Sequence, residues 1–283
     1  MPALQERRVT LMIVALGSLH REATGIIRSG SYRAVEAPED FIAYRPEVPD
    51  APGAVRIPAV VLSGSGTDRA GRATEWAIEE FSPEAVISFG FCGATRDHER
   101  PGDIVIAASV INLPGNPFEW SADDATSSLG PDRTLVLAAR NAVEVAGLDY
   151  HHGTIVTISR VAKTSGLKRW LGEAINATAV DTETHAVAEA ASKAGVPWVS
   201  VYSVLDAWDF DVPKIVDRVG SGPAERGLFA YARHLSSSPS DFPALVRLSR
   251  GSTRASASLT TFMTAFMEFH SSLTIATQAP VSV

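Results

Sequence analysis

Apolar residues in this chain fall into short continuous runs separated by stretches of helical spacing. Val9 to Leu16, Ala59 to Ser63, Ala85 to Phe89, Ile104 to Ile111 and Thr154 to Ser159 are such runs. Unbroken apolar runs of strand length predict strands covered on both faces. Helical segments are expected between them, over His20 to Ile27, Leu135 to Ala146 and Gly166 to Gly172. Another follows Gly64-Ser65-Gly66-Thr67 and ends at Phe81, with Ala70, Ala73, Trp76, Ala77 and Phe81 on one stripe. Strands alternating with helices predict an α/β fold on a mainly parallel sheet covered by helices. Residues 31 to 56 are polar and Pro-rich, and read as loop or short strands. Residues 112 to 131 read as a long loop carrying Phe118 and Trp120.

Two acids stand out against this pattern. Glu183 closes Val180-Asp181-Thr182-Glu183, and Asp206 closes Val201-Tyr202-Ser203-Val204-Leu205-Asp206. Each follows an apolar run, and Thr184 to Lys193 between them reads as an Ala-rich helix. A right-handed crossover would make the two strands parallel. Ligands bind at the carboxyl ends of strands in such sheets, so one acid can hold a substrate while the other donates a proton. Plainer readings stand beside this one. Glu183 suits a helix start, where the dipole favours a carboxylate. Asp206 suits a cap, and Asp181, Asp209 and Asp211 are competing acids. His185 lies on a small, apolar helix face and reads as a core or surface residue.

Other motifs carry weaker chemistry. Gly64-Ser65-Gly66-Thr67 places backbone N–H groups between strand and helix, where they can face an anion or a hydroxyl-rich ligand. It is no dinucleotide fingerprint, because Arg69 stands where the third Gly belongs. Gly90-Phe91-Cys92-Gly93-Ala94 follows the third strand and lets a flat ligand approach the backbone, or else makes a tight turn. Cys92 reads as a small buried filler. Near the C-terminus Ser236 to Ser240 is a break, and Asp241-Phe242-Pro243 starts a helix with Pro in its first turn. Leu259, Phe262, Met263, Phe266 and Met267 then repeat at helical spacing. Residues 1–235 are read as the main domain, 236–270 as a helical extension, and 271–283 as a disordered tail.

Composition narrows the classes. The net charge of -7 argues against a nucleic-acid partner. A single cysteine excludes a disulfide framework or thiol metal site, and the histidines lack metal-ligand spacing. No metal and no cofactor are expected. No apolar run approaches the about 18 residues of a membrane span, and no signal-peptide pattern is present. A cytoplasmic chain is expected.

Five segments in order resemble the nucleoside phosphorylase and nucleosidase superfamily, including methylthioadenosine/S-adenosylhomocysteine nucleosidases. They are Val61-Leu62-Ser63-Gly64-Ser65-Gly66, Ala85 to Ala94, Pro101-Gly102-Asp103-Ile104-Val105, Val180 to Glu183, and Val204-Leu205-Asp206. The resemblance implies one α/β domain around a mixed, partly barrel-like sheet, assembled as a homodimer or larger homo-oligomer. It implies that Glu183 binds the ribose hydroxyls and that Asp206 meets the purine near N7. Such groups match the charge that builds as a glycosidic bond breaks. Glu22 is the implied water-activating base. Gly64, Ser65, Gly66, Phe91, Cys92, Gly93, Val161 and Thr182 are implied substrate-binding positions. Thr182 replaces a usual Met, and Leu205 a common Ser. Ser88 and Phe91 stand where phosphorylases of this group hold phosphate with Arg and Ser, which favours water as nucleophile. Leu205-Asp206-Ala207, Val212-Pro213 and Phe242 to Leu248 further resemble hopanoid-associated phosphorylase-like proteins, implying an adenosylhopane-type or methylthioadenosine-type substrate that releases adenine. A purine nucleoside phosphorylase and a non-catalytic nucleoside-binding protein are the alternatives.

Overall fold

A computed structural model describes residues 12–39, 41–47, 57–116, 119–121, 128–213 and 238–278. In chain order the elements are β1 (Ile13–Gly17), α1 (His20–Ser29), β2 (Tyr32–Val35), β3 (Ile42–Pro46), β4 (Ala59–Leu62) and α2 (Thr67–Phe81). Next come β5 (Ala85–Ala94), β6 (Ile104–Leu113), β7 (Ser128–Leu129), α3 (Arg133–Val145), β8 (Tyr150–Ile158) and α4 (Ser165–Ala174). The series ends with β9 (Ala177–Asp181), α5 (Thr184–Lys193), β10 (Trp198–Asp206) and α6 (Phe242–Gln278). Helix starts follow the local chemistry. Asp132 accepts from the Leu135 amide at 3.0 Å, and Thr164 from the Leu167 amide at 3.2 Å.

The ten strands form one mixed sheet in which β5, β9, β8, β6 and β10 close into a ring, because β10 pairs with both β6 and β5. From β5 the sheet continues through β1, β4, β3 and β2 as an open wing. Alternate residues of the strands face two helical layers. Ile13, Ala15, Ile87, Phe89, Val199 and Val201 meet Leu259, Phe262 and Phe266 of α6. Val14, Leu16 and Val86 meet Ala70, Ala73 and Ala77 of α2 and Val187, Ala188 and Ala191 of α5.

Several expectations need correction. The strands bearing the two acids are not parallel to each other, and ring closure sets β5 between them. β10 runs parallel to β5, and β9 runs antiparallel to it. The Gly90 to Ala94 segment is not a turn but the second half of the ten-residue strand β5. The 112–131 segment, read as a loop, contains β7, whereas residues 31 to 56 do hold short strands, the hairpin β2–β3. The C-terminal helix continues to Gln278, past the Ser271 expected to open a tail. Residues 9–11, Phe118 and 236–237 lie outside the described residues.

The apolar stripe of α6 is fully covered by its own chain. Leu259, Phe262 and Phe266 are each 0% exposed. Gly251 lies so near the end of β10 that a Cβ there would sit 2.1 Å from the Leu205 carbonyl oxygen. Among the described residues no helix is long and apolar enough to cross a membrane. Phe262→Ala is expected to lower unfolding free energy by about 3–5 kcal/mol, the usual cost of emptying a buried aromatic site. Denaturant titration of the two proteins measures it.

Candidate active site

β5 gathers the site. Its Gly93 is the register partner of Val180 on β9 and of Asp206 on β10. Glu183, three residues beyond Val180, and Asp206 are thereby brought to one cavity of about 470 Å³. Ser18, Glu22, Gly66, Phe91, Arg160, Val161, Thr182, Val212 and Leu248 share its lining with them. Ser65, Cys92 and Gly93 line it as well. Gly64 does not. Its amide donates to the Ser18 carbonyl at 3.0 Å, and its φ of +75° serves the turn between β4 and α2.

Glu22 is the most constrained group. It sits in the first turn of α1, 2% exposed. The Ser18 and Leu19 amides donate to Oε2, both at 2.8 Å, and the Phe91 amide donates to Oε1 at 3.2 Å. Burial outweighs these donors and pushes its carboxyl up to about 7. Gly90 makes the approach possible, since a Cβ there would lie 3.1 Å from Glu22 Oε1.

Glu183 is the N-cap residue of α5, yet its side chain does not cap that helix. Oε1 instead accepts from the Gly66 amide at 2.8 Å and from the Thr182 hydroxyl. The glycine turn expected to face a ligand anion thus has one amide on a carboxylate of the protein. Burial and the neighbouring Asp181 push Glu183 up to about 8. The capping work falls to Asp181, whose Oδ2 accepts from Thr184 N at 2.7 Å and Glu183 N at 3.2 Å, while Thr157 donates to Oδ1 at 2.7 Å. Of the other competing acids, Asp209 is paired with Arg247 at 3.4 Å and Asp211 accepts from Ser165 N at 2.6 Å. Neither lines the cavity.

Asp206 is buried at the end of β10, and burial raises its carboxyl above the ordinary range against the pull of Lys168. Lys168, on α4, donates to Asp206 Oδ2. Sequence reasoning missed this lysine. The signal was its spacing, three residues before the buried Leu171 and four before Gly172, whose Cβ-less face meets the Thr95 carbonyl of the region after β5. Cys92 is buried, and its thiol is raised well above the usual range by that burial, so it stays protonated. His185 faces the cleft between α2 and α5 instead of this cavity. Ser88 Oγ and Tyr202 OH share a hydrogen bond of 2.9 Å. Among the described residues no cluster of His, Cys, Asp and Glu is placed to hold a metal ion.

A model of the phosphorylase superfamily matches residues 27–220. The chain belongs to the phosphorylase superfamily. It is 31% identical over 161 residues to a 5′-methylthioadenosine/S-adenosylhomocysteine nucleosidase of Shewanella loihica, covering 54% of this chain and 70% of that one. The superfamily fold is matched by the crystal structure of the nucleosidase of the same name from Neisseria meningitidis with methylthio-immucillin-A, at a TM-score of 0.67 and 20% identity, over 90% and 97% of the two chains. A futalosine hydrolase of Helicobacter pylori matches at 0.65 and 16% identity, over 89% and 97%.

The raised carboxyl of Glu22 carries a stability consequence. A buried acid whose folded pKa is about 7, against an ordinary 4.5, binds more protons when folded. Its contribution is fully present below pH 4.5 and is lost as pH rises through about 7. Glu22→Gln is therefore expected to match the parent in melting temperature at pH 5 and to exceed it at pH 8. Thermal melts across that range measure how the two proteins diverge.

Proposed function

We propose that the protein is a nucleosidase that hydrolyses the N-glycosidic bond of a 5′-modified adenosine and releases adenine. The observation that supports this best is Glu22. A carboxylate poised at about 7, gripped by three backbone amides, occupies the same cavity as Glu183 and Asp206. A general base is most effective when its pKa lies near the working pH. Ionised Glu22 takes a proton from the water that attacks C1′. Glu183 binds the ribose hydroxyls, beside Thr182. Asp206 gives its proton to N7 as the bond to the base breaks, so that the purine leaves neutral. The flat backbone around Cys92 and Gly93 and the exposed edge at Val161 receive the base.

Ser88 bears against phosphorolysis, because its hydroxyl is committed to Tyr202 inside the protein. Phe91 offers no charge where an anion would need one. The 5′ substituent is an adenosylhopane-type or methylthioadenosine-type group. The apolar pair Val212 and Leu248 in the cavity wall suits either, and Leu248 belongs to the α6 segment that carries the hopanoid-associated resemblance. Assembly as a homodimer or larger oligomer belongs to the same reading.

Incubation with 5′-methylthioadenosine, adenosylhopane and futalosine in phosphate-free buffer tests the reaction. Adenine and a free ribose product are expected from the first two. Strict dependence on added phosphate would show a phosphorylase instead, and tight binding without turnover would show a binding protein. Asp206→Asn is expected to lower kcat by about 10²–10⁴-fold, the range of a positioned general acid. The rate should also fall below about pH 7 as Glu22 takes up its proton, which a pH–rate profile of the parent measures.

A further inference from the structure

Lys168 is 0% exposed, and its ammonium makes three hydrogen bonds with its three N–H groups. They run to Asp206 Oδ2, to the Ala207 carbonyl at 3.1 Å and to the Phe210 carbonyl at 2.8 Å. Lys168 Cε passes 3.5 Å from where a Gly93 Cβ would stand. Around it the start of α4 is tied to the strand's exit, with Val212 N donating to the Lys163 carbonyl at 2.7 Å and Ser165 N to Asp211 at 2.6 Å. A buried ion pair is a poor route to stability, since desolvation offsets most of the attraction. A saturated ammonium on the acid of a cavity therefore calls for a chemical reason.

We propose that Lys168 is a positioning residue for Asp206: it grips Oδ2, leaves Oδ1 to the departing base, and neutralises the carboxylate that proton transfer creates. The proposal rests on the nucleosidase reading. In the step itself, the C1′–N9 bond breaks with its electron pair moving to the purine. The proton on Asp206 Oδ1 passes to N7, and water adds at C1′ while giving a proton to Glu22. The ammonium keeps its three protons throughout. Its work is to make Asp206 a stronger acid than burial alone would allow. The charged or titratable groups that face Asp206 are Lys168 from α4, Arg247 from α6 and the Cys92 thiol from β5.

Lys168→Met tests this against two substrates, 5′-methylthioadenosine and a ribofuranoside with a nitrophenolate leaving group, which departs without a proton. Adenine release should fall about 10- to 100-fold, a share of what the acid contributes, while nitrophenolate release stays within about 3-fold of the parent. The alkaline limb of the adenine profile should move to higher pH, because the acid loses its ammonium. Equal loss on both substrates with an unmoved limb would mean that Lys168 only supports the fold, and unchanged rates on both would also overturn the proposal. Should Lys168→Met not fold, Lys168→Arg takes its place. Its longer fork displaces Asp206 while keeping the charge, and adenine-selective loss supports the proposal while equal loss overturns it. If the parent releases adenine from no 5′-modified adenosine, the nucleosidase reading fails first, which is a different result.

Discussion

Two missing β-carbons on one strand set the geometry of this site. At Gly90 a side chain would press on Glu22 and Tyr202, and at Gly93 it would press on Val180. β5 is the strand on which the ring closes, pairing with β10 along one edge and with β1 and β9 along the other. Bare backbone at its carboxyl half therefore bears on how closely the side chains of α1, β9 and β10 approach it. Sheet closure and site assembly share this strand: β5 pairs with both acid-bearing strands, and Glu22, Asp181, Glu183 and Asp206 line one cavity.

That convergence has an electrostatic cost. Glu22 and Glu183 are both buried and both raised, and Asp181 and Glu183 add like-charge repulsion. The chain moderates this with fixed donors: amides of Ser18, Leu19 and Phe91 for Glu22, and of Gly66 for Glu183. These donors are backbone groups, which cannot rotate away and carry no mobile charge. Preorganised dipoles of this kind hold an acid near neutrality without forcing it to ionise, which is what proton chemistry near pH 7 needs. Asp206 differs in that its hydrogen-bond partner is the charged ammonium of Lys168.

Much of the layered fold could be read from the chain, because its strands are continuous apolar runs and its helices carry apolar stripes. Thr184 to Lys193 was bounded correctly from Ala-rich spacing alone. The errors share a cause. Local pattern reads a strand's presence but not its partner or sense, so β9 and β10 read as parallel, whereas β10 runs parallel to β5 and β9 antiparallel to it. Gly90 and Gly93 looked like turn residues because a glycine that clears space for a neighbour has the same sequence signature as one that bends the chain. Glu183 and Asp206 are paired by their places at strand ends, and only the addition of Glu22 rests on the family resemblance. Lys168 escaped because a single cation on a short helix ordinarily points to water, and only the closeness of Gly172 to Thr95 turns that face inward.

The committed hydroxyls sharpen the difference between water and phosphate as nucleophile. An anion site needs donors left unpaired by the protein, held near net positive charge. Here the amides at the mouth of α1 and on β5 converge on Glu22, so the position that could cradle an anion is filled by the protein's own carboxylate. Ser88 is turned to Tyr202. A second anion entering beside Glu22 would meet repulsion in a low-dielectric cavity, whereas a water would meet an acceptor of matched basicity. The same amides that serve an anion in one arrangement thus hold a carboxylate of the protein in another.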